Sequence, residues 1–201
     1  MSRLGLLALA AAIISACWFF RGWLERDPLT HVLLQLPLLA LAGGMIAQAL
    51  AQPKLRSKSS DRSSPAWMKG GLPLILVAIF TIAYWMLPRS IDAALLDPEM
   101  ELLKFITVPC LIGAPLAIGW GRAHPLLRGF LKAQTISMLA VMAFLYTHAP
   151  IRICNVYLVA DQERLGVGFL IAAVTCALLW SLPIFWKSDQ THPLGKRAIT
   201  S

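Results

Sequence analysis

Charge is scarce in this chain: 14% of its 201 residues are Asp, Glu, Lys or Arg, against roughly 25% in soluble domains. Acidic residues are the scarcer sign, 10 against 18 Lys and Arg. A fully solvated surface cannot be built from so few charges, which sets aside an ordinary soluble enzyme and a disordered chain alike. Four cysteines exclude a disulfide scaffold, and 13 glycines without a triplet period exclude collagen. The signatures of hydrolytic or transfer chemistry are also missing. There is no GxSxG elbow, Walker loop or HExxH, and no GxGxxG between a strand and a helix. Alternation of apolar and polar residues, the mark of a barrel strand, is absent too.

What is present is apolar and comes in long blocks. The hydrophobic set makes up 58% of the chain, and the mean hydropathy is +0.68. A membrane span needs roughly 20 mostly apolar residues, with about 17 to 25 tolerated. Six blocks qualify, 4–20, 29–50, 71–87, 102–120, 126–146 and 165–186, with lengths of 17, 22, 17, 19, 21 and 22 residues. Backbone polar groups in lipid must be satisfied within the segment, so these blocks predict helices. The expected fold is an all-α, polytopic transmembrane bundle of about six spans, forming one domain over 1–201.

Lys and Arg divide unequally between the two sides of such a bundle. One side carries twelve: Arg3, Lys54, Arg56, Lys58, Arg62, Lys69, Arg122, Arg128, Lys132, Lys187, Lys196 and Arg197. The other carries six, Arg21, Arg26, Arg89, Lys104, Arg152 and Arg164, among eight acids. The positive-inside rule puts the twelve-charge side in the cytoplasm, with both termini there. The net charge of +8 lies mostly in a Ser-rich linker, 52–70, and a tail, 187–201. In those places it orients the chain and touches anionic lipid, and nucleic acid is not the expected partner.

The first block also fits a bacterial lipoprotein signal, because Arg3 precedes an apolar run that ends Ile14-Ser15-Ala16-Cys17. The alternative is an uncleaved first span. The other cysteines are Cys110, Cys154 and Cys176, and no two of the four form a CxxC pair. Cys110 and Cys176 fall inside expected spans, where a free cysteine acts as a small hydrophobe. Cys17 and Cys154 lie toward the outer side, where an oxidising compartment allows them to pair. Cys154 also has the soft donor that suits Cu(I), and a plain structural cysteine is the third reading.

Polar groups inside or beside the spans need partners, and each is a functional candidate. His31 and Gln35 stand four residues apart on one helical face, which suits a metal ligand with a hydrogen-bonding neighbour. Equally, it suits an interfacial histidine beside a glutamine that joins two helices. Between the third and fourth blocks, Pro88 should end one helix, a short interfacial helix fits next, and Asp97-Pro98-Glu99 reads as the capped start of another. Glu101 and Lys104, three residues apart, are expected to pair with each other. Met86, Met100 and His148 supply further soft or imidazole donors at the outer face. Met138 and Met142 form a stripe that reads as core filler. Prolines within the blocks, at 37, 109, 115 and 183, should kink their helices. Haem would need two intramembrane axial ligands, for which the sequence offers little, while a quinone pocket would leave no sequence signature.

Three stretches together resemble the CtaG-type family of cytochrome c oxidase assembly and copper-homeostasis membrane proteins. Thr30-His31-Val32-Leu33-Leu34-Gln35-Leu36-Pro37 is similar to a helix that in the family reads H-x-x-x-H-x-L-L. Trp85-Met86-Leu87-Pro88 with Asp92-Ala93-Ala94-Leu95 resembles its W-H-x-P and A-A-L segment. Ala160-Asp161-Gln162-Glu163-Arg164-Leu165-Gly166 resembles its A-D-Q-Q-L-A-G entry to the last span. The likeness covers roughly 29–186. Here Gln35 takes the place of the second histidine, Met86 follows the tryptophan, and Met100 with Lys104 falls where an H-x-x-x-H pair would sit. The family usually has about seven spans.

The resemblance implies a bacterial inner-membrane accessory or assembly protein, not a stand-alone enzyme, serving a copper-containing or respiratory redox complex. Copper, where handled, would sit at the outer face among His31, Met86, Met100, His148 and Cys154. The alternative is a non-catalytic structural or quinone-contacting subunit of a larger redox complex, from which metal binding has been lost. A small transporter ranks third, since charges along a membrane pathway are scarce.

Overall fold

The computed structural model describes residues 2–51, 71–148 and 159–188. All regular structure among the described residues is helical. The first helix, α1 (Arg3–Phe19), starts where the Ser2 hydroxyl accepts from the Gly5 amide. A single turn, α2 (Arg21–Leu24), follows. Next comes α3 (Pro28–Leu50), capped by Asp27, whose Oδ1 accepts from the Leu29 amide at 3.0 Å, with proline at the first helical position. The helix α4 (Leu72–Trp85) is joined to α5 (Pro88–Leu96) at a bend of 72°. After Asp97, which caps by accepting from the Glu99 amide, α6 runs Pro98–Arg122. A helical hairpin completes the chain, α7 (Pro125–His148) and α8 (Val159–Ser188).

The kinks expected at prolines take a specific form. α3 widens into a π-helical turn over His31–Gln35, directly ahead of Pro37, and α6 does so over Val108–Gly113, around Pro109 and ahead of Pro115. A proline lacks the amide hydrogen and its ring meets the carbonyl four residues back, so a wider turn relieves the clash without ending the helix.

Four helices are long and apolar enough to cross a membrane alone: α3, α6, α7 and the part of α8 from Ala160 to Leu182. The remaining two expected spans are shorter. α1 has 17 residues, and α4 has 14, about 21 Å of helix against roughly 30 Å of hydrocarbon. Counted as one bent unit with α5, α4 becomes a fifth candidate.

Glycines bring α3 and α6 together. A methyl group added at Gly43 would land on the Pro109 carbonyl, and one at Gly113 on the Ala40 carbonyl, so the two backbones touch. Close approach through small residues is what associates helices in lipid, where burying apolar surface gains little by itself. At the far end Gly71, with φ of +73°, turns the chain into α4 beside the Gly119 carbonyl, a place where a side chain has neither the space nor the conformation.

Two apolar clusters fill the bundle. Cys17, Leu36, Leu39, Trp85, Phe105, Val108 and Ile112 join α1, α3, α4 and α6. In the second, Val32 and Ile91 meet Ala143, Tyr146, Leu165 and Phe169, which docks the α7–α8 hairpin onto α3 and α5. Trp85 fixes the top of α4 by donating its indole N–H to Thr107 Oγ1 at 3.0 Å.

Candidate functional site

The end of the bundle where α2, α3 and α6 begin holds a buried polar cluster. Lys104, seven residues into α6, has no solvent-exposed side-chain surface, although it is a charged residue inside a helix long enough to cross the membrane. Its Nζ donates to Glu25 Oε1 at 2.5 Å. Gln35 Oε1 and His31 Nε2 each lie 3.5 Å from the same nitrogen. An ammonium has three donors and no acceptor, so these three groups can give it one acceptor each, with His31 in the tautomer whose Nε2 accepts. Gln35 closes the ring by donating its Nε2 to Glu25 Oε1 at 3.0 Å.

Local structure explains the convergence. The π turn of α3 carries both His31 and Gln35, and both are buried. Glu25 closes α2, its amide bonded to the Arg21 carbonyl at 2.8 Å. The hydroxyl of Thr30 accepts no such role but donates to the Leu24 carbonyl at 2.6 Å and lies 2.9 Å from that of Asp27, pinning the loop that presents Glu25. On the rim, Arg21 Nη1 reaches Glu101 Oε2 at 3.4 Å and stacks over Trp18 at 4.4 Å. Trp18 in turn meets Phe105 edge-on. Two acids and two bases therefore balance.

The pairing expected between Glu101 and Lys104 is not formed. Lys104 turns inward to Glu25, 79 residues away in sequence, and Glu101 pairs with Arg21 instead. A surface pair one turn apart is worth little, whereas an ammonium committed to a dry interior needs several acceptors, which only α2 and α3 supply. His31 is 1% exposed, so it is not an interfacial side chain facing headgroups.

The other proposed copper donors stand differently. Met86 is half-buried and packs against both apolar clusters. Met100 is half-buried in the first turn of α6. His148 is exposed, with Nδ1 at 2.8 Å from Thr147 Oγ1 and 3.1 Å from the Phe144 carbonyl, and its ring lies on Phe144. Cys154, and with it the pairing to Cys17, lies outside the described residues. Among the described residues, no three His, Cys, Asp or Glu side chains come together as a metal set. The one imidazole in the cluster faces an ammonium, whose charge opposes a second cation. As placed, Glu25, Gln35 and His31 are engaged by the Lys104 ammonium, so this cluster by itself does not fit a copper ion.

Beside the cluster runs an apolar groove of about 630 Å³ lined by Ile13, Ala16, Cys17, Phe20, Trp23, Leu24 and Leu38. Leu24, which lines the groove, directly precedes Glu25 in the chain.

Sequence reasoning marked His31 and Gln35 but missed Glu25 and Lys104 as their partners. The available signal was Lys104 itself, a lysine at the edge of an apolar block. No protein-family model matches the chain, and neither a curated protein nor a solved structure matches it.

Proposed function

We propose that this chain is a non-catalytic accessory or assembly protein of a membrane redox complex in the bacterial inner membrane, crossing it six times with both termini in the cytoplasm. In this reading α1 and the bent α4–α5 unit complete the spans beside the four long helices, and the twelve-charge side faces inward. The observation that carries it is the meeting of His31, Gln35 and Lys104 around one point. These are three of the positions at which the CtaG-type resemblance places histidines, and they come from two separate helices. Their convergence supports a shared architecture, while Lys104 and Gln35 replace metal chemistry with an ion-paired, hydrogen-bonded core. Copper handling is then not the role of this cluster, and the metal-free form of the proposal is preferred.

A second reading, a quinone-contacting subunit, is favoured by the groove alone. Its lining is apolar and aromatic, from Ile13 and Phe20 to Trp23 and Leu38, the kind of wall that holds an apolar ligand. The test is gentle purification from the native membrane with partners retained, followed by elemental analysis, an absorption spectrum and solvent extraction. A redox complex that co-purifies with a copper-free chain is the expected result, and extracted quinone would select the second reading. A chain that runs alone, or one that carries one copper lost on His31→Ala, overturns the proposal.

A further inference from the structure

We infer that Lys104 is a tethered cation: its ammonium fills, among Glu25, Gln35 and His31, the place of a borderline divalent metal ion, and residue 104 decides whether this cluster takes a metal. The inference rests on the metal-free reading above. Three observations lead to it. The acceptors around Nζ are a carboxylate oxygen from the end of α2 and an amide oxygen and an imidazole nitrogen from the π turn of α3, converging on a lysine of α6. These are first-row metal donors, and they are presented to a compact positive charge. The cluster is also neutral only because Lys104 is present. With Arg21, Glu25 and Glu101 alone, a net negative charge would be left beside the mostly buried Glu25 carboxylate, where a cation is the natural partner to balance it. Finally, Glu101 Oε1 is buried without a hydrogen-bond partner among the described residues, one turn before Lys104 on the same helix, so an acceptor is held in reserve at the rim.

With lysine in place the cluster offers only Glu25 and His31 as strong ligands, and the ammonium sits between them. Substituting Lys104→His removes the competing charge and adds an imidazole, giving two nitrogens and a carboxylate, a set that holds Zn²⁺ or Co²⁺ with a fourth position left over. The metal must come within about 2.0–2.2 Å of each donor. The 3.5 Å spacings to His31 and Gln35 around Nζ leave room for that contraction, which the wide π turn of α3 can accommodate.

The experiment uses the full chain in detergent with Co²⁺ as probe. Wild type should bind none above background. Lys104→His should take about one Co²⁺ per chain, with visible d–d absorption, and adding Glu25→Gln or His31→Ala should weaken it at least tenfold. A folded Lys104→His that takes no Co²⁺, or takes as much after His31→Ala, overturns the inference. A wild-type measurement stands beside it in case the variant does not fold. With ¹⁵N-labelled histidine, the buried His31 Nε2 should show an accepting nitrogen unmoved by 1 mM Zn²⁺ (a concentration on the order of a thousand times a tight site's requirement). A shift there means that Lys104 does not exclude metal. Metal bound to wild type as purified would instead overturn the metal-free reading itself, so the two failures are distinguishable.

Discussion

The two halves of the molecule are built on different terms. In the most apolar stretches of α3 and α6, 50% and 44% of residues are buried, whereas in α7 and α8 the figures are 11% and 28%. α3 and α6 touch backbone to backbone through Gly43 and Gly113 and are tied to α2 by the Lys104 cluster. The hairpin packs along its own length and meets the remainder through one apolar patch, where Val32 and Ile91 face Tyr146, Leu165 and Phe169. In lipid, an apolar side chain loses little by facing outward. Stability must therefore come from close packing and from polar groups that have nowhere else to go, and both are concentrated in the first half.

The largest effect should come from crowding the α3–α6 contact. Gly113→Val places a branched side chain against the Ala40 carbonyl, an overpacking of a core backbone contact expected to cost on the order of 4 kcal/mol. The yield of monodisperse protein and its thermal midpoint should both fall, and a variant that melts like wild type would mean that the crossing is not the organising contact.

Next is the polar cluster. Glu25→Leu strands the Lys104 ammonium, which has no solvent access, and breaking such a pair costs about 3 kcal/mol, the lower end for buried pairs because Glu25 is at the cluster's edge. The double substitution Glu25→Leu with Lys104→Met should recover much of that loss, since no unpaired charge remains and only the neutral Gln35 and His31 have lost partners. A denaturant-based double-mutant cycle measures this. Additive losses would mean that the two side chains act independently.

This cluster also marks the limit of what the sequence makes legible. Helix positions follow from block length and hydropathy, and the Asp97 cap and the short helix after Pro88 follow from local chemistry, because each depends on residues within one or two turns. Span number is harder: the block 71–87 is apolar throughout, yet its helix stops at Trp85 and bends by 72°, since Pro88 limits its length. The partner of Lys104 is harder still. Glu101 is nearby in sequence, and the choice of Glu25 depends on how α2 docks against α6, a matter of tertiary packing. The same holds for Met86. Its thioether is a soft donor by chemistry alone, and only packing shows that it sits between two apolar clusters.

A smaller effect is expected at the hairpin's dock. Phe169→Ala removes the ring that faces Tyr146 at 5.8 Å. The displaced surface meets lipid and not water, so the transfer contribution largely drops out, and the cavity alone costs about 2 kcal/mol. The loss should be local. Hydrogen exchange should accelerate in α7 and α8 while α3 and α6 keep their protection. Uniform acceleration would show that the halves unfold as one.

The smallest effect has the most diagnostic sign. Gly113 and Gly129 are both glycines within long helices, but a methyl added at Gly129 meets nothing within 4 Å. Alanine there should only relieve glycine's entropic cost in a helix, stabilising by about 0.5 kcal/mol, or roughly 1–2 °C in thermal midpoint for a chain of this size. At Gly113 the same replacement should destabilise. If Gly129→Ala proves neutral or stabilising in detergent but lowers the amount of chain recovered with its partner complex, then α7 is open in the isolated protein because another helix covers it in the assembly. Equal behaviour in both settings would leave α7 a lipid-facing helix, and the contrast between the two halves would be a property of this chain alone.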